Sequence, residues 1–92
     1  MSSRRTRTQI YLDILRAVQQ RDGRIKKTHI VYKANLTHSR LKEYMDHLTD
    51  MGFIERKKSG HQTFFSITDE GKRFLSEVNK LKKISEAFGV PL

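Results

Sequence analysis

Histidine, cysteine and carboxylate side chains are the groups that most often hold metals or transfer protons, and their spacing here supports neither role. The sequence has no cysteine, and none of its four histidines lies four residues from another, as two metal ligands on one helix face would. It has no glycine-rich phosphate loop, and no pattern pairs carboxylates across a pocket. The sequence therefore predicts a non-enzymatic protein without a metal site, a cofactor or a small-molecule substrate.

Lysine and arginine are the side chains in this sequence that are numerous enough to bind a partner. They number 19 among 92 residues, against 10 acids, which gives a formal net charge of +9. The excess is concentrated in residues 1–27, where eight lysines and arginines face two aspartates. A basic balance of this size favours a polyanion, and nucleic acid is the commonest polyanion in a cell. The alternative is that the charge only keeps the protein soluble.

Two helical segments joined by a short turn are the elements that would position part of this charge. Thr28 is predicted to cap the first helix and Thr37 the second, because their hydroxyls can accept a hydrogen bond from a helix N-terminus. Leu36 is predicted to be buried in the turn, and Gly52 to end the second helix, over 37–51. The apolar residues at helical spacing in the two segments are Ile30, Val31, Ala34, Leu41, Tyr44, Met45 and Leu48.

The segment before these helices is predicted to hold another helix and a basic arm. Apolar residues at helical spacing indicate a helix over residues 8–21, ended by Asp22 and Gly23. Ile25 lies alone among basic residues and suits a very short strand or an extended link. Residues 1–8, which are rich in arginine, are predicted to form a flexible basic arm.

The segment after Gly52 is predicted to be a hairpin followed by a last helix. Strands over 53–57 and 63–67 flank a loop of five residues with a central glycine, which is a hairpin signal. Thr68 is then predicted to cap a helix that ends near Phe88.

Three blocks of sequence carry a resemblance to a known family. They are RTRTQIYLDILRAVQ at the start, THIVYKANLTHSRLKEYMDHLTDMGFIE through the two central helices, and FFSITDEGKRFL at the end of the hairpin. Over these blocks the chain resembles small archaeal winged-helix proteins of the chromatin-associated type and predicted archaeal winged-helix regulators. The resemblance implies a mainly helical α+β fold. Residues 9–74 would form a winged helix-turn-helix domain with a two-stranded wing. It also implies a homodimer that binds double-stranded DNA, with the dimer made by antiparallel C-terminal helices.

The second helix of a helix-turn-helix presents its N-terminal side chains to base edges in the major groove. Arg40 or Lys42 could bond guanine O6 and N7, and Glu43 could accept a hydrogen bond from cytosine N4. A solvated outer face without a target is the alternative, which the acids of this helix favour. The candidate recognition residues are Thr37, His38, Ser39, Arg40, Lys42 and Glu43.

Basic and polar residues outside that helix are candidates for contacts with the phosphate backbone or the minor groove. In the hairpin these are Arg56, Lys57, Lys58, Ser59 and His61. In the N-terminal arm and before the helix-turn-helix they are Arg4, Arg5, Arg7, Lys26, Lys27 and Thr28. The alternative is that both sets belong to solvated surface.

An apolar stripe along the last helix predicts a partner helix, because so small a fold has little other surface to cover it. Residues 75–92 are therefore predicted to form a long dimerisation helix and tail. The alternative is a helix folded back onto its own domain. The predicted homodimer interface consists of Val78, Leu81, Ile84, Ser85 and Phe88.

Together these features predict a homodimeric DNA-binding protein, cytoplasmic and associated with the nucleoid. No apolar run approaches the roughly 20 residues that a membrane span needs. The protein would be a transcriptional regulator that reads the major groove with helix 37–51, or an architectural chromatin protein with little sequence preference. The alternative function is that of a protein–protein adaptor in a larger assembly, without strong DNA affinity.

Overall fold

The computed structural model describes residues 5–21 and 23–90, which form four helices and one hairpin. β1 and β2 pair antiparallel. Ile25, predicted to be a very short strand or an extended link, forms an isolated bridge to Phe65 on the other edge of β2. This winged helix-turn-helix, mainly helical with a two-stranded wing, confirms the predicted fold class. The elements in order are α1 (Arg7–Arg21), α2 (Lys27–Ala34), α3 (His38–Asp50), β1 (Ile54–Ser59), β2 (Gln62–Ile67) and α4 (Asp69–Phe88).

The hydrophobic core lies between the inward faces of the helices and one face of the hairpin. Burial of each large apolar side chain in it stabilises the fold by about 1.5–3 kcal/mol. The apolar positions predicted for the two central helices are buried, except Val31, which is half-buried against the core. The largest fully buried side chains are Ile14, Leu15, Val18, Ile25, Ile30, Leu41, Leu48 and Ile54.

The turn between α2 and α3 sets the direction of the second helix of the pair. Asn35 adopts a left-handed conformation with φ of 54°, and Leu36 behind it is buried, as predicted. Thr37 caps α3 as predicted, since its Oγ1 accepts a hydrogen bond from the Arg40 N–H at 3.2 Å. This cap holds the first turn of α3 in place.

Thr28, in contrast, does not cap α2, and that prediction is wrong. The extended backbone at Lys26 continues the Ile25 bridge, so the chain enters the helix at Lys27. The N–H groups of His29 and Ile30 donate to the Lys26 carbonyl, and no side chain caps the helix. Thr28 therefore lies in the first turn, with its side chain exposed.

The hairpin turn is shorter than predicted. Ser59 pairs with Gln62, so only Gly60 and His61 form the loop, and the prediction of a five-residue loop is wrong. Gly60 has a φ of 64°, and a glycine with positive φ at the first central position is the requirement of a type II′ turn. Such a turn matches the right-handed twist of the strands. The ladder therefore continues through the Lys58–Thr63 pair to the Ser59–Gln62 pair.

The described part of the predicted basic arm is attached to the domain. α1 begins at Arg7, because Thr6 and Gln9 form a reciprocal capping box: Oγ1 of Thr6 accepts from the Gln9 N–H at 3.1 Å and Oε1 of Gln9 accepts from the Thr6 N–H at 2.7 Å. The first helix thus begins within the segment 1–8 that was predicted to be an arm, one residue before its predicted start at residue 8. The predictions for Arg4, Asp22 and the last two residues lie outside the described residues.

The last helix has well-defined ends. Thr68 caps it as predicted, since Oγ1 accepts from the Gly71 N–H at 3.0 Å. At the other end Gly89 has a φ of 70°, and the N–H groups of Gly89 and Val90 donate to the carbonyls of Glu86 and Ser85. This is a Schellman motif, which ends the helix at Phe88. Its 20 residues span about 30 Å.

No helix within residues 5–21 and 23–90 has the length and apolar character needed to cross a membrane.

Candidate nucleic-acid interface

The N-terminal half of α3 is anchored on one side and exposed on the other. Leu41, Tyr44, Met45 and Leu48 pack into the core, which fixes the rotation of the helix. Ser39, Lys42 and Glu43 point away from this buried stripe, and His38 and Arg40 flank it. All the predicted recognition residues are exposed: Thr37, His38, Ser39, Arg40, Lys42 and Glu43. The predicted recognition residues are therefore accessible on α3 and at its N-cap.

The strand register divides the basic residues of the wing between two faces. Arg56 lies opposite Phe65 and Lys58 opposite Thr63, on the face that also carries the buried Ile54. Lys57 lies opposite Phe64, on the other face of the hairpin. All the predicted wing residues are exposed, but only the first of these two faces adjoins α3.

Cations from three elements line a shallow hollow between α2, α3 and the wing. They are Lys27 of α2, Lys42 of α3, and Arg56 and Lys58 of β1. The hollow has a volume of about 260 Å³, and Met45, Thr63 and Phe65 complete its lining. We call it the basic hollow. Its four positive charges lie beside the exposed N-terminal half of α3.

Asp46 is the single acidic residue among the described residues that line the basic hollow. Its Oδ2 lies 3.1 Å from Lys42 Nζ, and its Oδ1 lies 3.9 Å from Arg56 Nη2. One carboxylate thus connects the recognition helix to the wing. The side chains in these two ion pairs are between 47% and 69% exposed, so water screens both interactions.

Two other residues predicted to contact the phosphate backbone do not line the basic hollow. Lys26 lies over the Phe64 ring, with its Nζ 5.8 Å from the ring centroid, so it is on the face of the sheet opposite the basic hollow. Arg5 donates from Nη1 to Asp13 Oδ2 at 2.6 Å and from Nη2 to the Asn35 carbonyl at 3.3 Å. Arg5 therefore connects α1 to the turn before α3.

One prominent exposed side chain was not among the residues predicted from the sequence. Tyr32 on α2 is 88% exposed. Tyr44 is buried and Tyr11 is partly buried against it, with ring centroids 5.0 Å apart. A helical wheel would have found Tyr32, because it lies about 200° from both Ile30 and Ala34, the buried residues of α2.

The predicted dimer residues on α4 fall into three environments. Leu81, Ile84 and Phe88 are 51%, 56% and 79% exposed. Val78 packs against the core, and Ser85 is already buried within the single chain. Val78, Leu81 and Ser85 help to line an open, mostly apolar groove of about 890 Å³ between α4 and the start of α1. Leu12, Phe74 and Val90 also line it.

Within the described parts of the chain, no group of three or more acidic or histidine side chains is arranged so that it could hold a metal ion.

Comparison with known families gives a match over most of the chain. A family model described as winged helix-turn-helix matches residues 4–86. Two uncharacterized proteins of Methanocaldococcus jannaschii, MJ0290 and MJ0287, are each 31% identical to the chain, over 83 and 81 residues. The matched segments cover 90% and 88% of this chain. They make up 36% of MJ0290 and 77% of MJ0287, so the chain spans only about a third of the first relative.

Comparison with solved structures gives the same fold. The crystal structure of Sso10a-2, a DNA-binding protein from Sulfolobus solfataricus, superposes with a TM-score of 0.77 at 25% sequence identity. The match covers 91% of this chain and 85% of that protein. These similarities confirm the resemblance to small archaeal winged-helix proteins.

Proposed function

The chain belongs to the winged helix-turn-helix family, and on that premise we propose that it is a dimeric, non-enzymatic protein that binds double-stranded DNA. In this proposal α3 enters the major groove and the protein acts as a transcriptional regulator. One observation carries the proposal: cations from three elements converge beside the exposed N-terminal half of α3. The description of Sso10a-2 as a DNA-binding protein supports it.

Base reading is assigned to the exposed side chains in the first two turns of α3. Arg40 forms no ion pair with any of the described residues, so its guanidinium is available to guanine O6 and N7. Glu43 can accept from cytosine N4. Asp50 lies at the C-terminal end of α3, where it would repel phosphates if the whole helix lay in the groove. Insertion by the N-terminal half alone avoids that repulsion.

Contacts with the phosphate backbone are assigned to the basic hollow and the surfaces beside it. In this proposal Lys27, Arg56 and Lys58 contact phosphates of the DNA strand that borders the major groove entered by α3. Ser59 and His61, at the tip of the wing, contact phosphates further along the same DNA strand. Such contacts position the protein without reading sequence. Lys57 and Lys26, on the other face of the sheet, contribute mainly through the long-range field.

Dimerisation is assigned to the exposed apolar side chains of α4. Leu81, Ile84 and Phe88 form a surface at the C-terminal end of that helix, next to the apolar groove. A second copy related by a two-fold axis would cover this surface and part of the groove. Two recognition helices would then face half-sites about one helical turn apart, roughly 34–36 Å, on one side of the duplex.

A salt-dependent titration tests the proposal. Fluorescence anisotropy of a duplex of about 30 base pairs, roughly three helical turns, is measured at several salt concentrations. We expect micromolar or tighter binding, with a log–log salt slope steeper than about −4, because several phosphates are neutralised. Absence of binding at low salt would contradict the proposal and favour an adaptor that uses the apolar end of α4 to hold another protein.

A matched pair of variants shows whether α3 is the contact surface. Arg40→Gln removes a charge from the proposed interface, and Lys83→Gln removes the same charge from the exposed surface of α4. We expect the first to lose affinity and the second to change it little. Selection of preferred duplexes from a random pool then separates a regulator, which enriches a two-fold site, from an architectural nucleoid protein, which enriches none.

A further inference from the structure

Asp46 is in an unusual position for a carboxylate on a surface that is proposed to meet DNA. It lines the basic hollow together with four cations from three elements. Its two oxygens approach two different cations, Lys42 at 3.1 Å and Arg56 at 3.9 Å. The pair with Lys42 lies within α3, and the pair with Arg56 spans the gap between the recognition helix and the wing.

A carboxylate and a backbone phosphate present the same chemistry to these cations. Each is an anion with oxygen acceptors that lysine and arginine bind through charge-assisted hydrogen bonds. Lys42 and Arg56 therefore cannot be fully engaged by both anions at once. The phosphate must either displace the Asp46 carboxylate from Lys42 and Arg56 or interact more weakly with these two cations.

We infer that the basic hollow is a seat for one backbone phosphate of duplex DNA and that Asp46 is its built-in competitor. In the free protein the carboxylate occupies Lys42 and Arg56, and in the complex the phosphate takes its place. Asp46 thereby lowers the affinity of the module for any duplex, independently of sequence. This inference rests on the proposed DNA-binding function, and it makes Asp46 the residue that limits the affinity for DNA.

Neither ion pair is needed to hold the fold together. The Asp46 side chain is 47% exposed, and Lys42 and Arg56 are 69% and 52% exposed. Solvated pairs of this kind contribute little to stability. Asp46→Asn, which keeps the size of the side chain and removes its charge, is therefore expected to fold with an unchanged melting temperature.

The test compares two variants that each remove one negative charge. Asp46→Asn removes it from inside the basic hollow, and Glu55→Gln removes it from β1 on the opposite face of the hairpin. Affinity for a duplex of about 30 base pairs is measured by anisotropy at several salt concentrations.

We expect Asp46→Asn to bind about 3- to 10-fold more tightly than the wild type, as a unit charge a few ångströms from a phosphate at a hydrated surface would dictate. Its salt slope should be steeper by about one, because the released cations neutralise the phosphate more fully. Glu55→Gln should change affinity by less than about 2-fold, since its charge is on the far face and is screened.

A cycle of substitutions shows whether the effect acts through the two cations. In a Lys42→Gln, Arg56→Gln background, Asp46→Asn should gain clearly less affinity than it does in the unaltered background, because only the direct repulsion between its charge and the phosphate is then removed. If wild type binds DNA and Asp46→Asn matches Glu55→Gln in the unaltered background, the inference is wrong while the proposed function stands. If neither wild type nor Asp46→Asn binds duplex at low salt, both are wrong.

Discussion

Dimerisation through α4 can be tested by making its exposed apolar end polar. In Leu81→Gln, Phe88→Gln the two substitutions replace side chains that are 51% and 79% exposed in the single chain. Glutamine is a good helix former, and neither side chain belongs to the buried core, so the domain should remain folded. The expected effect is therefore on association and not on folding.

The size of the effect follows from the exposed fractions. Full burial of a leucine or phenylalanine side chain is worth about 1.5–3 kcal/mol, so these exposures leave roughly 1 and 2 kcal/mol to be gained in each protomer. Two-fold symmetry doubles this to an upper limit of about 6 kcal/mol per dimer. If a partner covers half of the exposed surface, the double variant loses about 3 kcal/mol, which weakens the dimer about 100-fold.

Sedimentation equilibrium over a wide range of protein concentration measures the dimer dissociation constant directly. Ser76→Gln is the matched control, because Ser76 is exposed on α4 and lies outside the apolar stripe. We expect wild type and Ser76→Gln to dimerise alike, and the double variant to be monomeric at concentrations where they are dimers. A monomeric wild type, or a double variant that dissociates no more readily than Ser76→Gln, would refute the role assigned to this end of α4.

Further substitutions test three other parts of the structure. Arg56→Gln should weaken duplex binding several-fold in anisotropy and lower the salt slope by about one, whereas Lys57→Gln on the other face should have less effect. Gly71→Ala should lower the free energy of unfolding by urea, although alanine normally favours a helix by about 1 kcal/mol, because its Cβ would collide with a backbone carbonyl. Arg5→Ala and Asp13→Ala should each destabilise by about 1 kcal/mol, non-additively in a double-mutant cycle.

Each of these has a result that would contradict it. Equal losses of DNA affinity at positions 56 and 57 would mean that the face of the wing does not matter. A Gly71→Ala variant as stable as the wild type would show that α4 can move away from the Phe53 carbonyl, between α3 and β1, at little cost. An Arg5→Ala variant with unchanged stability but weaker DNA binding would show that Arg5 contacts DNA and does not stabilise the fold.

The order of elements and the inward faces were predictable because they depend on local signals. Apolar spacing located the buried side of α3, and the hydroxyls of Thr37 and Thr68 marked two helix starts. The end of α4 at Phe88 followed from the glycine after it. These signals lie within a few residues of the feature that they determine, so one sequence contains them.

The features that depend on strand register were not predictable in the same way. Whether Arg56 or Lys57 faces α3 depends on where the hairpin turns, and a loop predicted as five residues instead of two leaves that undetermined. Asp46 on α3 can pair with Arg56 only because the same register turns Arg56 toward α3. Arg5 was assigned to a flexible arm because its partners, Asp13 and the Asn35 carbonyl, are brought to it only by the tertiary fold.

Contact of DNA with α3 and with one face of the wing is tested most directly by mapping amide chemical shifts during a titration with duplex DNA. We predict large changes in residues 37–43, in residues 56–58 and at Lys27, with the second half of α4 little affected. Changes confined to α4 and the start of α1, with residues 37–43 unmoved, would contradict the proposed interface and place the ligand in the apolar groove instead.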